Sequence, residues 1–357
     1  MKNSSPFRDD KDGAFDVSKW LLEKKGFLPV PMIITEPAVG YGAGVGLMFF
    51  SQSIAEAAAN AKATGHVTPP DIYGVVLAAT ENGTKFGGGG AMLSFLDDRW
   101  RYRGGVARMD VHLDFYGLGD RFGENFKMGY KLDGWISSQQ AMYRLGNSNN
   151  FLAARWMYID TKSSFDSARP ILADKAFATR SSGLGVSFEH DSRNNIFTPS
   201  TGVLGAFDTL FYSKEIGSDE NFQSYRAHMF AYTPLGSSFV LAGRLDGRAA
   251  RGDVPFYQLP YIDMRGVPAM RYQDENVALG EVEGRWNVTD RWGLIGFVGV
   301  GHTWGKTSFD DTSSKWSKGV GFRYELARLL GLWMGMDYAW GPDKEQAFYI
   351  QVGNAWR

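Results

Sequence analysis

Between Trp292 and Trp304 every second residue reads Trp, Leu, Gly, Val, Val, His, Trp, a mostly aliphatic stripe with tryptophan at both ends. A period of two belongs to a β-strand, whose successive side chains point to opposite faces. The same alternation runs through Trp316–Leu326, Leu330–Trp340 and Phe348–Trp356, and strand and loop alternate over nearly the whole chain after residue 62. The stripe from Trp292 to Trp304 covers roughly 40 Å at ~3.3 Å per residue. Tilted by ~45°, that is a little under 30 Å, the thickness of a bilayer's hydrocarbon core. A soluble β-sandwich also alternates, with its apolar face inside. Aromatic residues at both ends of stripes this long instead match the two girdles of a membrane barrel.

Composition narrows the choice further. The chain of 357 residues has no cysteine, which excludes a disulfide scaffold, a thiolate zinc site and a cysteine nucleophile. Lys and Arg (38) nearly balance Asp and Glu (39), so no basic field calls for nucleic acid. No run of 18 apolar residues is present, which excludes a transmembrane helix. The fold class expected is all-β: a transmembrane antiparallel β-barrel in the bacterial outer membrane, its export signal removed.

Strands are predicted over 30–36, 39–51, 71–80, 85–96, 99–114, 125–145, 150–162, 178–190, 202–214, 220–233, 237–250, 277–289, 291–304, 316–328, 330–341 and 345–356. That makes sixteen, with twelve or fourteen left open because 52–70 would be an unusually long inner connection. Short inner turns fall at Asp97-Asp98, Gly146–Asn149, Thr233–Gly236, Val288–Arg291 and Ala327–Leu329, and long outer loops at 163–177, 251–276 and 305–315. Two segments read as helical. Asp16–Lys25 sets Trp20, Leu21 and Leu22 among lysines, suiting an interface anchor or a solvated helix; Ile54–Lys62 is Ala-rich without an apolar face. The chain divides into an N-terminal segment, 1–26, and a barrel, 27–357.

The faces opposite the apolar stripes carry charge: Arg108, Asp110, His112 and Asp114; Arg244, Asp246 and Arg248; Glu281, Glu283 and Arg285; Arg323; Asp337. A barrel in lipid would pair them inside a wet lumen. Asp110, His112 and Asp114 offer two carboxylates and an imidazole on one strand face, but Arg108 beside them points to an ordinary charge network. Five histidines in the chain leave little for a metal cluster. Ser187 and His190 fall on opposite faces, so they make no nucleophile–base pair. Gly87–Gly90 lacks the Lys-Ser/Thr of a phosphate loop, and Asp310-Asp311 lacks EF-hand spacing. Neither an enzyme nor a cofactor is expected.

Several segments resemble the BamA/TamA-like bacterial surface antigen superfamily of outer-membrane assembly barrels. Phe27–Phe50 (FLPVPMIITEPAVGYGAGVGLMFF) is similar to the family's Pro-rich lead-in and Gly-rich first hairpin, and Asp191–Gly202 (DSRNNIFTPSTG) to an inner turn between middle strands. Met264-Arg265-Gly266-Val267 resembles the tip of the sixth outer loop, which that family folds into the lumen against inward carboxylates. Gly319–Tyr324, Asp337-Tyr338 and the closing Ile350–Trp356 also fit, so the resemblance covers 27–357. There are departures. Val267 replaces the usual aromatic, Gly299 stands where an inward Asp is common, Arg357 follows the final aromatic, and only some 27 residues precede the barrel where POTRA repeats are usual.

The resemblance implies insertion or translocation of proteins or lipids through a weak seam between first and last strands. It implies a lumen closed by Arg265 and Gly266, with Glu283 as partner, and seam strands carrying Gly42, Gly44, Gly46, Gly353 and Trp356. The chain reads as a barrel-only member without POTRA repeats. Expected partners are outer-membrane lipid, with lipopolysaccharide, a second copy of the chain or another membrane protein as further candidates. A passive pore and a structural, homo-oligomeric barrel are the alternatives.

Overall fold

The computed structural model describes residues 5–23, 26–51, 71–115, 128–165, 177–305 and 314–356. Sixteen antiparallel strands follow one another in chain order: β1 (Gly26–Ile34), β2 (Gly42–Phe50), β3 (Ile72–Thr80), β4 (Lys85–Phe95), β5 (Trp100–Phe115), β6 (Met128–Arg144), β7 (Asn150–Phe165), β8 (Phe177–Asp191), β9 (Gly202–Tyr212), β10 (Phe222–Leu235), β11 (Phe239–Gly252), β12 (Asn276–Asn287), β13 (Trp292–Trp304), β14 (Lys315–Ala327), β15 (Leu332–Trp340) and β16 (Gln346–Val352). The sheet curls until β16 lies beside β1. The count is the sixteen expected, and the lower counts fall away. Most boundaries shift by up to three residues; the two that move furthest are the start of β1, at Gly26, which places Pro29 as well as Pro31 within the strand, and the end of β16, at Val352. The predicted helix 54–62 lies outside the described residues.

Register settles which face is which. Ala242, Glu283 and Phe297 sit side by side across β11, β12 and β13, all buried and turned inward. Their neighbours Leu245, Val282, Val298 and Val320 are exposed on the outer face. With Trp292, Trp304, Trp316 and Trp340 also exposed there, the outer wall is an apolar belt too large for water and suited to lipid. Polar side chains within it pair with one another, as a hydrocarbon surround demands: Tyr102 with Gln139, Gln139 with Ser137, and the Trp156 indole with Ser182 at 3.2 Å. Barrel height is uneven. β5 to β8 have 15 to 17 residues, whereas β1, β2 and β3 have nine, β15 nine and β16 seven.

That unevenness overturns one expectation. Arg108, Asp110, His112 and Asp114 do not join the lumen network. On β5 it is Val111 and Leu113 that face inward, packing with Tyr130, Leu132 and the interior residues Phe256 and Met270. The four polar residues are on the outer face, where Arg108 pairs with Asp133 and lies over the Trp135 ring, and Lys131 meets Asp110 at 2.8 Å. Sixteen residues of strand reach some 50 Å at ~3.3 Å each, so β5 outruns the lipid and its outer face returns to water. Alternation separates two faces but does not say which is inside.

The N-terminal segment is fastened beneath the barrel. The α-helix described there, α1 (Ser18–Leu22), begins two residues after the predicted start at 16, because Asp16 turns its carboxylate to the barrel. Asp9, Asp12 and Asp16 converge on Arg291, in the β12–β13 turn, at 2.7, 2.8 and 2.7 Å. Arg328, in the β14–β15 turn, meets Asp9 at 3.3 Å and Asp12 at 2.8 Å. Backbone bonds reinforce the docking: Val17 N–H donates to the Leu326 carbonyl at 2.9 Å, and Leu329 N–H to Ser18 Oγ at 3.0 Å. The hydrogen bond from Arg291 holds Asp12 well below the usual carboxylate range. Burial raises Asp16, but bonds from Ser18 and Arg291 outweigh it and leave its pKa lowered.

Two outcomes follow from these placements. A His112→Cys variant should react with a membrane-impermeant maleimide from outside the barrel, whereas Leu113→Cys, packed against the interior, should be protected; equal reactivity would reverse the facing of β5. The depressed pKa values of Asp12 and Asp16 mean that strap stability is full above the unfolded carboxylate value of ~3.9 and is lost as pH falls through the folded values. Deuterium uptake at residues 5–23 should therefore stay low from about pH 8 to about pH 5 and rise only in stronger acid.

Candidate functional site

The connection between β11 and β12, residues 253–275, folds back into the barrel. Ile262, Met264 and Val267 bury themselves against Val277 and Leu279 of β12, so hydrophobic packing holds the loop inside before any charge is considered. At its tip Gly266 has φ +85° and passes so close to the wall that a Cβ would meet the Ala339 methyl and the Gly341 nitrogen, both at 3.2 Å. Only glycine combines that conformation with that approach. Its N–H donates to the Tyr349 hydroxyl at 2.9 Å.

Beside it, Arg265 is buried and meets three inward carboxylates: Glu283 at 2.7 Å, Asp337 at 2.9 Å and Glu281 at 3.7 Å. The guanidinium lies 3.6 Å above the Phe297 ring. Each carboxylate is shared. Arg323 also holds Asp337 (2.5 Å), Arg285 holds Glu283 (2.6 Å), and Arg244 holds Glu281 (3.0 Å). Asp246 extends the mesh to Arg226, Arg244 and Arg248 at 2.8, 2.9 and 3.0 Å. Planar guanidinium forks suit such sharing, since each can address two acceptors at once. Gly299, on β13, leaves the space Met264 occupies: a Cβ there would lie 3.0 Å from its sulfur and 2.7 Å from Glu281 Cγ.

The turn end is closed separately. Past Val352, Gly353 takes φ +77° and turns the tail inward, so that Trp356 packs on Phe230 and Tyr232 of β10. Asn354 accepts from Arg285 at 3.0 Å and donates to the Tyr232 hydroxyl at 2.6 Å. Arg285 also donates to the carbonyl of Pro199, which brings in the β8–β9 turn at 3.0 Å. A cavity of about 70 Å³ between Arg285, Arg323, Trp333 and Ala355 remains, room for water but not for a solute of any size.

Between β1 and β16 no ladder forms among the described residues. The register explains the bare edge. Glu81 N–H bonds the Tyr41 carbonyl and Ser51 N–H the Asp71 carbonyl, so odd-numbered residues of β2 bond β3 and even-numbered ones bond β1. In β1 the even positions are thereby used, and Phe27, Pro29, Pro31 and Ile33 turn their backbone toward β16. Two of those four have no N–H to give.

The expected site residues divide accordingly. Arg265, Gly266, Glu281, Glu283, Arg285, Arg323 and Asp337 come together; Arg108, Asp110, His112 and Asp114 stand apart. Gly42, Gly44 and Gly46 belong to β2, one strand back from the seam, where a Cβ at Gly42 would strike the Ala79 carbonyl at 2.3 Å. Gly353 and Trp356 lie beyond the end of β16 rather than in a seam strand, because Gly353 redirects the chain. Sequence reasoning missed Phe297. It supplies the aromatic face beside Arg265 that Val267 does not, and its place on the inward parity of β13 was the available signal.

Residues 113–356 match the Omp85 superfamily domain. Among solved structures, BamA from Haemophilus ducreyi lacking POTRA domains 1–3 is similar, with TM-score 0.63 and 10% identity over 92% of this chain and 71% of that one. CdiB from Acinetobacter baumannii (TM-score 0.60, 12% identity) and CdiB from Escherichia coli (0.58, 11%) are similar over 91% of this chain and over 59% and 61% of their own lengths. At such identities the likeness is one of fold. No curated protein sequence matches.

Arg265→Ala would leave Glu283 and Asp337 buried with one cation fewer, an expected cost of about 3–5 kcal/mol. The variant should melt earlier in detergent, lose protease resistance in 253–275 and conduct more in planar bilayers. Arg265→Lys should recover little, since an ammonium lacks the fork.

Proposed function

Given that the chain belongs to the Omp85 superfamily, we propose that it inserts or translocates proteins or lipids in the outer membrane, working laterally through the seam between β1 and β16. The observation that carries this reading is the contrast between a lumen packed from both ends and a wall left unzipped along one line. Neighbouring strands elsewhere in the barrel are bonded edge to edge; at the seam, Pro29 and Pro31 remove donors just where closure needs them. An exposed strand edge is a template for pairing with another chain. A client strand could therefore add to β16 by main-chain bonds without any sequence-specific pocket.

A passive pore finds less support, because the loop carrying Arg265 and the tail ending at Trp356 both fold into the lumen. The short strands at the seam give lipid a low wall there, which suits exchange between lumen edge and bilayer.

The absence of cysteine makes a direct test clean. Phe27→Cys or Ile33→Cys, paired in turn with Phe348→Cys, Ile350→Cys and Val352→Cys, should yield a disulfide across the seam. The readout is the rate at which vesicles carrying the protein take up an unfolded eight-stranded outer-membrane barrel. Oxidation should abolish the acceleration and reduction restore it. Full activity in the locked state would sink the proposal, and a steady current unaffected by locking would favour the pore.

A further inference from the structure

The seam has a second closure that lies outside the barrel wall. We infer that residues 5–23 form a strap that holds the seam shut at its turn end, and that lateral opening requires the strap to leave its seat. The inference rests on the reading of the seam as a gate.

The connectivity makes the case. The strap is seated on the turns β12–β13 and β14–β15 through Arg291, Arg328, Leu326 and Leu329. Immediately after α1 the chain becomes β1, at Gly26. In sheet order β16 stands between β15 and β1. The strap is thus fixed to one side of the seam by ion pairs and joined to the other side covalently. The last anchor on the β14–β15 turn is Ser18. From there α1 rises about 6 Å, and the four residue steps from Leu22 to Gly26 add at most about 14 Å. Reaching β1 past β15 and β16 uses about two and a half strand spacings, about 12 Å. The slack is about 8 Å, short of the two spacings, about 10 Å, that a hairpin occupies. While the strap is seated, β1 cannot move off by the width of a client hairpin.

The seat itself is specific. Asp9, Asp12 and Asp16, three and four residues apart, surround one guanidinium, and Tyr324 donates to the Phe15 carbonyl at 2.6 Å. Phe7 stacks on Phe15 and packs against Trp20, giving the strap an apolar spine of its own. Among the described residues, the carboxylates of Asp9 and Asp12 bond the two arginines and otherwise the strap itself, so their replacement tests the seat without removing a bond between strands.

Spin labels at Phe27→Cys and Val352→Cys report the seam width without any client. In the double variant Asp9→Asn, Asp12→Asn the wide population should rise about tenfold, since the carboxamides keep hydrogen bonds but lose the charge of four partly exposed ion pairs with Arg291 and Arg328, each worth a fraction of a kcal/mol. A cysteine staple between Ser18→Cys and Leu329→Cys, read instead by unnatural-amino-acid fluorophores at 27 and 352, should remove the wide population until it is reduced. Equal width distributions in the unmodified, carboxamide and stapled proteins would overturn the strap. The gate reading would survive that result, since it falls only if the protein with β1 and β16 crosslinked stays active. Unchanged melting of the carboxamide variant, with the wide population raised, separates release of the seam from loss of fold.

Discussion

Every backbone N–H and C=O of a wall in lipid has to find its partner within the wall, because hydrocarbon offers none. Fifteen of the junctions between neighbouring strands meet that demand by antiparallel ladders. The sixteenth does not, and most of the remaining structure can be understood from this exception. Pro29 and Pro31 face the gap, so β1 cannot form a full ladder with β16 even when the two lie side by side. A barrel with such a line of weakness has to be held round by other means. The loop carrying Arg265 binds β12 and β15 from within, the tail past Gly353 reaches across to β10, and the strap grips from beneath.

The interior mesh is better understood as a fastening than as a source of net stability. Burying guanidinium and carboxylate groups costs solvation that their attraction only about offsets, yet removing one member leaves the others stranded. Arg265 joins carboxylates on two strands that are not neighbours, Glu283 on β12 and Asp337 on β15. It therefore resists relative movement of the wall segments as well as withdrawal of the loop. Sharing among Arg244, Arg285 and Arg323 spreads that constraint around the half of the barrel nearest β16.

Much of this was legible in the sequence. Alternation located the sixteen strands, usually to within a few residues, because each apolar stripe stops at an aromatic or a turn. Arg265 and Gly266 stood out as a guanidinium on a glycine-supported tip, and Glu283 as an inward carboxylate within reach. The misplacement of Arg108, Asp110, His112 and Asp114 has a physical origin: charge marks contact with water, and a strand taller than the bilayer meets water on both faces. The strap was hidden for another reason. Asp9 and Asp12 belong to a polar stretch and Asp16 opens the predicted helix, and nothing near them points to Arg291, some 280 residues away, which the last five strands bring among them. Likewise nothing local announces that Gly353 turns the chain inward, for an alternating Ile350–Trp356 continues naturally as strand.

The inward tail ties two movements together. Trp356 sits against β10, and only Gly353 to Ala355 separate it from the last residue of β16. Any excursion of β16 away from β1 pulls on that short leash. A large enough excursion lifts the indole from between Phe230 and Tyr232, and with it Asn354 from Arg285. If the seam opens as proposed, the floor of the lumen and the slit in its side would act not as two doors but as one hinge-linked pair, and passage along the axis and passage sideways into lipid would come open in the same stroke.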